Sequence, residues 1–133
     1  MLVFGVALGS GVMLVWPLVG RLRGSSAEQV GAAAAVQLIN RRDALVLDVR
    51  DAASFAAGHI LNARNIPAAE LDGRLRELEK YKSRPIIVSA DGAGRAAAVC
   101  GMLKKRGFAE AVAMRGGIQG WAEASLPLEK KAT

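Results

Sequence analysis

Residues 2–19 carry no Asp, Glu, Lys, Arg, His, Asn or Gln, whereas beyond residue 28 short apolar stretches alternate with polar, helix-forming ones. These patterns call for different surroundings. An unbroken apolar helix of that length reaches ~27 Å, close to a bilayer's hydrocarbon thickness, while short alternating runs describe a domain with its own interior. The apolar run exceeds the core of a cleaved signal peptide and no basic residue precedes it. Residues 1–20 are therefore predicted to form one N-terminal transmembrane helix, residues 21–27 a linker, and residues 28–130 a folded domain. Arg21 and Arg23 follow the run directly, which by the positive-inside rule puts the domain in the cytoplasm. Gly5 and Gly9 form a G-x-x-x-G step of the kind that lets two membrane helices approach.

Within the domain, residues 32–40 have helical composition, with Val36, Ile39 and the alanines as the apolar side. Residues 44–49 are almost continuously apolar and end in Asp48-Val49-Arg50, the pattern of a strand covered on both faces. Asp51 is placed to cap a short helix through Ser54 and Phe55, which Gly58 stops before His59 and Ile60. Asn65 and Ile66 read as a brief strand ended by Pro67. Residues 70–81 are charged and helical, burying one stripe made of Leu71, Leu75 and Leu78. A second buried strand, residues 86–89, runs into the loop Ala90, Asp91, Gly92, Ala93, Gly94, Arg95. A helix over residues 96–106 follows, with Gly107 as its terminating residue, then a strand over residues 112–114 and a last helix opened by Gly116 and Gly117. Strands and helices in this alternation predict an α/β fold with a parallel sheet flanked by helices.

Charge and composition narrow the function. The formal net charge is +6, with basic clusters at Arg41 and Arg42, at residues 104–106, and at Lys130 and Lys131. For a tethered domain this suits an anionic membrane surface, each nearby cation contributing about 1 kcal/mol. Nucleic acid is not an expected partner, because aromatic residues are 5% of the chain and none interleaves with the basic clusters. Cys100 is the only cysteine and His59 the only histidine, so neither an intrachain disulfide nor a Cys-His metal cluster is expected, and no cofactor is implied.

With these segments in order, residues 28–128 resemble the rhodanese-like (sulfurtransferase) family. The resemblance rests on residues 44–50 as a signature strand, on the turn from Phe55 through Gly58-His59-Ile60 to Asn65-Ile66-Pro67, and on the strand from Pro85 to Val88. Gly116-Gly117-Ile118 with Trp121 is similar to the family's C-terminal G-G-I-x-x-W. The layout is also similar to single-domain members anchored in bacterial inner membranes. The resemblance implies a catalytic cysteine at the first position of a C-x-x-G-x-R loop. Arg95 and the downstream Gly107-Phe108 align that position with Ala90 and the family's glycine with Ala93; a shift by one brings Asp91 instead. Neither register supplies sulfur.

A sulfurtransferase attacks with a thiolate whose pKa is lowered by backbone N–H groups and a helix N-terminus, and then carries sulfur as a persulfide. An alanine methyl does neither. The surrounding loop still offers N–H donors from Gly92, Gly94 and the next helix, with Arg95 nearby, so it remains a candidate anion cradle; the carboxylate of Asp91 opposes an anionic guest. Cys100 lies about 7.5 Å along a helix beyond Arg95, among apolar neighbours, and reads as a small core residue. By the resemblance His59 is a turn residue with a structural role. Asp48 and Arg50 are read either as orienting the loop or as an ion pair, and Ser89 as a strand serine. The expected function is a membrane-anchored, catalytically inactive rhodanese-like module at the cytoplasmic face of the inner membrane, acting in interaction with membrane or membrane-associated proteins. The alternative is a sulfurtransferase or persulfide carrier using Cys100 or a partner thiol. A phosphatase-like variant would need the loop cysteine as well.

Overall fold

The computed structural model describes residues 28–130. The anchor expected at residues 1–20, the linker at 21–27 and Lys131 lie outside the described residues. Among the described residues no helix is long and apolar enough to cross a membrane.

Seven strands and five α-helices alternate along these residues: β1 (Gln29–Val30), α1 (Ala32–Arg42), β2 (Leu45–Asp48), α2 (Ala52–Ala57), β3 (His59–Ile60), β4 (Arg64–Asn65) and α3 (Ala68–Leu71). A 3-10 helix (Asp72–Tyr81), β5 (Ile86–Ser89), α4 (Ala93–Lys105), β6 (Ala111–Met114), α5 (Gly117–Glu123) and β7 (Leu128–Glu129) complete the order. The main sheet has strand order β1-β6-β5-β2-β4 and every pairing in it is parallel. β3 and β7 form a separate antiparallel pair.

Every residue of β2, β5 and β6 is buried, because helices cover both faces of the sheet. The period of two divides these strands between two apolar layers. Leu45, Leu47, Ile86, Val88, Ala111 and Ala113 face the layer of α4 and the 3-10 helix, with Cys100, Leu103, Leu71 and Leu78. Val46, Ile87, Val112 and Met114 face Ala35 of α1, Ile60 of β3 and Trp121 of α5. Removing one such fully buried leucine to alanine typically costs about 2–5 kcal/mol.

The helix ends follow local chemistry. The Asp51 carboxylate accepts from the Ser54 N–H at 2.8 Å and opens α2. α4 closes in a Schellman arrangement: Gly107 takes φ 98°, its N–H donates to Lys104 at 3.2 Å, and the Phe108 N–H donates to Leu103 at 2.9 Å. Phe108 and Leu103 then meet in the core.

Three expectations are corrected. The helix expected over residues 70–81 is instead a single α turn followed by a 3-10 stretch kinked at Arg74 (φ −117°, ψ 15°), next to the poor helix former Gly73, although Leu71 and Leu78 are still fully buried. The helix after β5 begins at Ala93 rather than residue 96, so Ala93, Gly94 and Arg95 belong to its first turn and the loop shortens to residues 90–92. The alanine-rich run carries the helix forward because nothing in it forbids helical backbone. His59 is in a strand rather than a turn, since β7 reaches back to pair with it. β1 and β7, two residues each, lie below the length at which alternation is legible.

Candidate functional site

The parallel strands of the main sheet end on one edge, where ligand sites of α/β folds collect. β2 delivers Asp48, Val49 and Arg50 to that edge, β5 delivers Ser89, Ala90 and Asp91, and β6 delivers Arg115, Gly116 and Gly117.

At the end of β2 the chain turns back on itself through an ion pair. Arg50 Nη2 donates to Asp48 Oδ2 at 2.8 Å and Nε donates to Oδ1 at 3.0 Å, while the Arg50 backbone N–H donates to the same Oδ1 at 3.0 Å. The side chains are only 8% and 1% exposed, so each charge depends on the other to be tolerated there. Nη2 also donates to the Gly58 carbonyl at 2.7 Å, and Asn65 Nδ2 donates to the carbonyls of Asp48 and Arg50, both at 3.0 Å. The hydrogen-bonded carboxylate of Asp48 holds the Arg50 guanidinium above its ordinary range against the opposing effect of burial, with Asp91 and Asp51 adding to it. Both readings of Asp48 and Arg50 are present in the geometry: the two side chains form an ion pair, and they also hold backbone, through the Arg50 N–H and the Gly58 carbonyl.

The β5–α4 loop is built differently. Ala90 is 7% exposed and its methyl joins the apolar layer beneath α4. Asp91, Gly92, Ala93, Gly94 and Arg95 are all exposed. Gly92 is the N-cap in extended backbone (φ −151°, ψ 157°) and no side chain caps the helix. The first helical hydrogen bond runs from the Ala96 N–H to the Gly92 carbonyl at 3.1 Å, so the N–H groups of Ala93, Gly94 and Arg95 have no acceptor within α4. A Cβ on Gly92 or Gly94 would meet nothing within 4 Å, which leaves the donors open to solvent.

The far wall of the loop was not foreseen as part of the site. Gly117, at φ 54°, lies so close to the loop that a Cβ there would stand 2.5 Å from the Ala90 carbonyl oxygen. The double glycine of the G-G-I-x-x-W segment was the signal: only glycine permits left-handed backbone and this approach together. Trp121, 4% exposed, fixes the helix behind that wall and donates from Nε1 to the Pro127 carbonyl at 2.8 Å.

Ser89, last residue of β5 and in register with Asp48, is fully buried, and its Oγ has no hydrogen-bond partner. By strand alternation it faces the layer of α1 and α5, away from α4. The His59 ring is stacked on Phe55 and is 3% exposed. Cys100 is 0% exposed within the layer under α4, and burial pushes its thiol up to about 11, with Lys104 partly opposing. Burial therefore favours the protonated thiol, which is the wrong state for a nucleophile. Among the described residues no group of His, Cys, Asp and Glu side chains is arranged to hold a metal ion.

Comparison with known proteins agrees with this architecture. Residues 31–124 match the family described as Rhodanese-like domain, and the chain belongs to that family. It is 40% identical over 96 residues to the uncharacterized protein YibN of Escherichia coli strain K12, covering 71% of this chain and 66%, just under two thirds, of that protein. It is 30% identical over 94 residues to the thiosulfate sulfurtransferase GlpE of Coxiella burnetii strain RSA 331, covering 71% of this chain and 86% of the relative. Among solved structures, a rhodanese-related protein from Thermoplasma volcanium superposes with a TM-score of 0.67 at 31% identity, covering 77% of this chain and 97% of the other. A thiosulfate sulfurtransferase from Pseudomonas aeruginosa gives a TM-score of 0.70 at 28% identity, over 79% of this chain and 20% of that one.

Proposed function

We propose that this chain is a membrane-anchored rhodanese-like module that does not itself transfer sulfur, and that it acts through protein interaction or regulation at the cytoplasmic face of the inner membrane. The observation that carries the reading is the β5–α4 loop: an exposed, uncapped helix N-terminus stands there, with an alanine at the position where the family resemblance implies a thiol. The uncharged N-terminal run supplies the anchor in this reading, and Arg21 and Arg23 its orientation. The cradle is retained as a recognition surface, with buried Ala90 at its floor and Asp91 and Arg95 at its rim.

A second reading draws on the relatives named as sulfurtransferases: sulfur carried on Cys100, or on a partner's thiol docked at the loop. Burial of Cys100 and its raised pKa weigh against the first of these routes. Two measurements separate the readings. The purified protein is expected to give only background thiosulfate-to-cyanide transfer, and mass spectrometry after thiosulfate treatment to find Cys100 unmodified. Turnover well above background, or a persulfide on Cys100, would overturn the proposal. Ala90→Cys is expected to bring measurable transfer, because the donors that would lower a thiol's pKa remain exposed around it.

A further inference from the structure

β7 is held to the domain by few contacts, and one of them depends on a proton. The β3–β7 ladder comprises two residue pairs, His59 with Glu129 and Ile60 with Leu128. His59 Nδ1 lies 2.6 Å from the Phe55 carbonyl oxygen, and Nε2 lies 3.3 Å from Glu129 Oε1. The same carboxylate oxygen accepts from the Asn62 N–H at 3.1 Å.

A carbonyl oxygen accepts and never donates, so Nδ1 must carry the hydrogen in that 2.6 Å contact. In neutral imidazole the other nitrogen is then a bare lone pair, and it would face the Glu129 carboxylate with no hydrogen between them. Only the doubly protonated ring donates to both oxygens. Among the described residues, the charged groups around the ring are Glu129 from β7 and, one residue away at Gly58, the Arg50 guanidinium, which Asp48 already neutralises. α2 presents Phe55 and α5 presents Trp121, neither of them charged.

We infer that His59 is a proton-operated latch for the C-terminal strand: the imidazolium fastens β7 through Glu129, and loss of the proton loosens it. The sign follows from linkage. Seating β7 and protonating the ring favour one another, so the fastening is present at low pH and is lost as pH rises through the imidazole titration; it is lost again in stronger acid, where Glu129 is neutralised. The latch also touches the candidate site, since the peptide before His59 is the one whose carbonyl Arg50 holds.

The test uses the full-length chain in detergent micelles. NMR follows the ring nitrogens of the single histidine, while hydrogen exchange, corrected for intrinsic rates, follows the amides of β7 and the Trp121 indole N–H. Protection in β7 is expected to be roughly tenfold higher at about pH 5.5 than at about pH 8, the factor that about 1.4 kcal/mol corresponds to. Glu129→Gln, at a half-exposed position, keeps the fold and should abolish the difference, because an amide presents a donor or an acceptor to Nε2 in either state. The latch is refuted if β7 protection is the same at both pH values, if the imidazole does not change protonation state between them, or if Glu129→Gln retains the full difference.

Discussion

β2 and β5 run side by side with Asp48 in register with Ser89, yet the segments that leave them are finished in opposite ways. After β2 nearly every polar group is spoken for: carboxylate, guanidinium, the Gly58 carbonyl and the Asn65 amide close one network, most of it out of water. After β5 the helix start has no side-chain cap, three N–H groups have no helical acceptor, and the Ser89 hydroxyl has no partner. The first segment spends its hydrogen-bonding capacity on the fold. The second leaves helix N–H groups open at the surface and one hydroxyl buried without a partner.

The difference is most sharply broken at Asp48. Asp48→Ala leaves the Arg50 guanidinium buried without its counterion and should cost about 3–5 kcal/mol in chemical denaturation. Arg50→Ala is expected to cost a similar amount, and the double variant clearly less than the sum, because neither single loss would then strand a charge. A cost near zero for Asp48→Ala would mean that Arg50 swings into solvent and that the β2 end is as loose as the loop.

Gly117→Ala attacks the loop from its far wall. Left-handed backbone costs a non-glycine residue about 1–2 kcal/mol, and the new methyl would drive into the Ala90 carbonyl, so a loss of about 2–3 kcal/mol is expected together with shifted resonances at Asp91 and Gly92. Loss of stability without change in the loop would show that the glycine serves α5 alone.

Ser89→Ala tests the orphan hydroxyl. Removing a buried group with no partner relieves a desolvation cost, so stability should rise by up to about 1 kcal/mol. A fall of similar size would reveal a partner such as a buried water, and the β5 end would then be as fully satisfied as its neighbour.

How much of this was legible in the sequence depended on the range of the interactions involved. β2 and β5 were readable because burial on both faces writes a continuous apolar run, and the Asp51 cap because its partner is three residues away. The loop itself was placed correctly, with Ala90 at its head, but its length was overstated since Ala93 to Arg95 can serve a loop or a first helical turn equally well. The Asp48–Arg50 pair was one of two local readings, and the fold realises it together with the hold on loop backbone. What could not be read were contacts closed across the chain: Gly117 against Ala90, the Arg50 bond to Gly58, and Glu129 returning to His59. Each residue was visible, but the partner is fixed only when helices and strands are in place.

The smallest effect discriminates most directly between a loop kept open and one merely unfinished. Gly92 has N-cap geometry with extended backbone, and a Cβ there would meet no atom within 4 Å, so Gly92→Asp introduces no strain. Its carboxylate can accept from the Gly94 or Arg95 N–H and lie at the positive end of the α4 dipole. The exchange of glycine for a capping residue is worth a few tenths of a kcal/mol, or about 1–2 °C in thermal unfolding, and the gain should vanish in acid as the new carboxylate is protonated. In Ala90→Cys that same cap would occupy the donors a thiolate needs, so adding Gly92→Asp should suppress whatever transfer the cysteine gains. If Gly92→Asp instead destabilises the chain while the double variant keeps its transfer activity, the N–H groups of this helix do not converge on the loop's first position. The contrast with the closed β2 end would then be one of exposure alone.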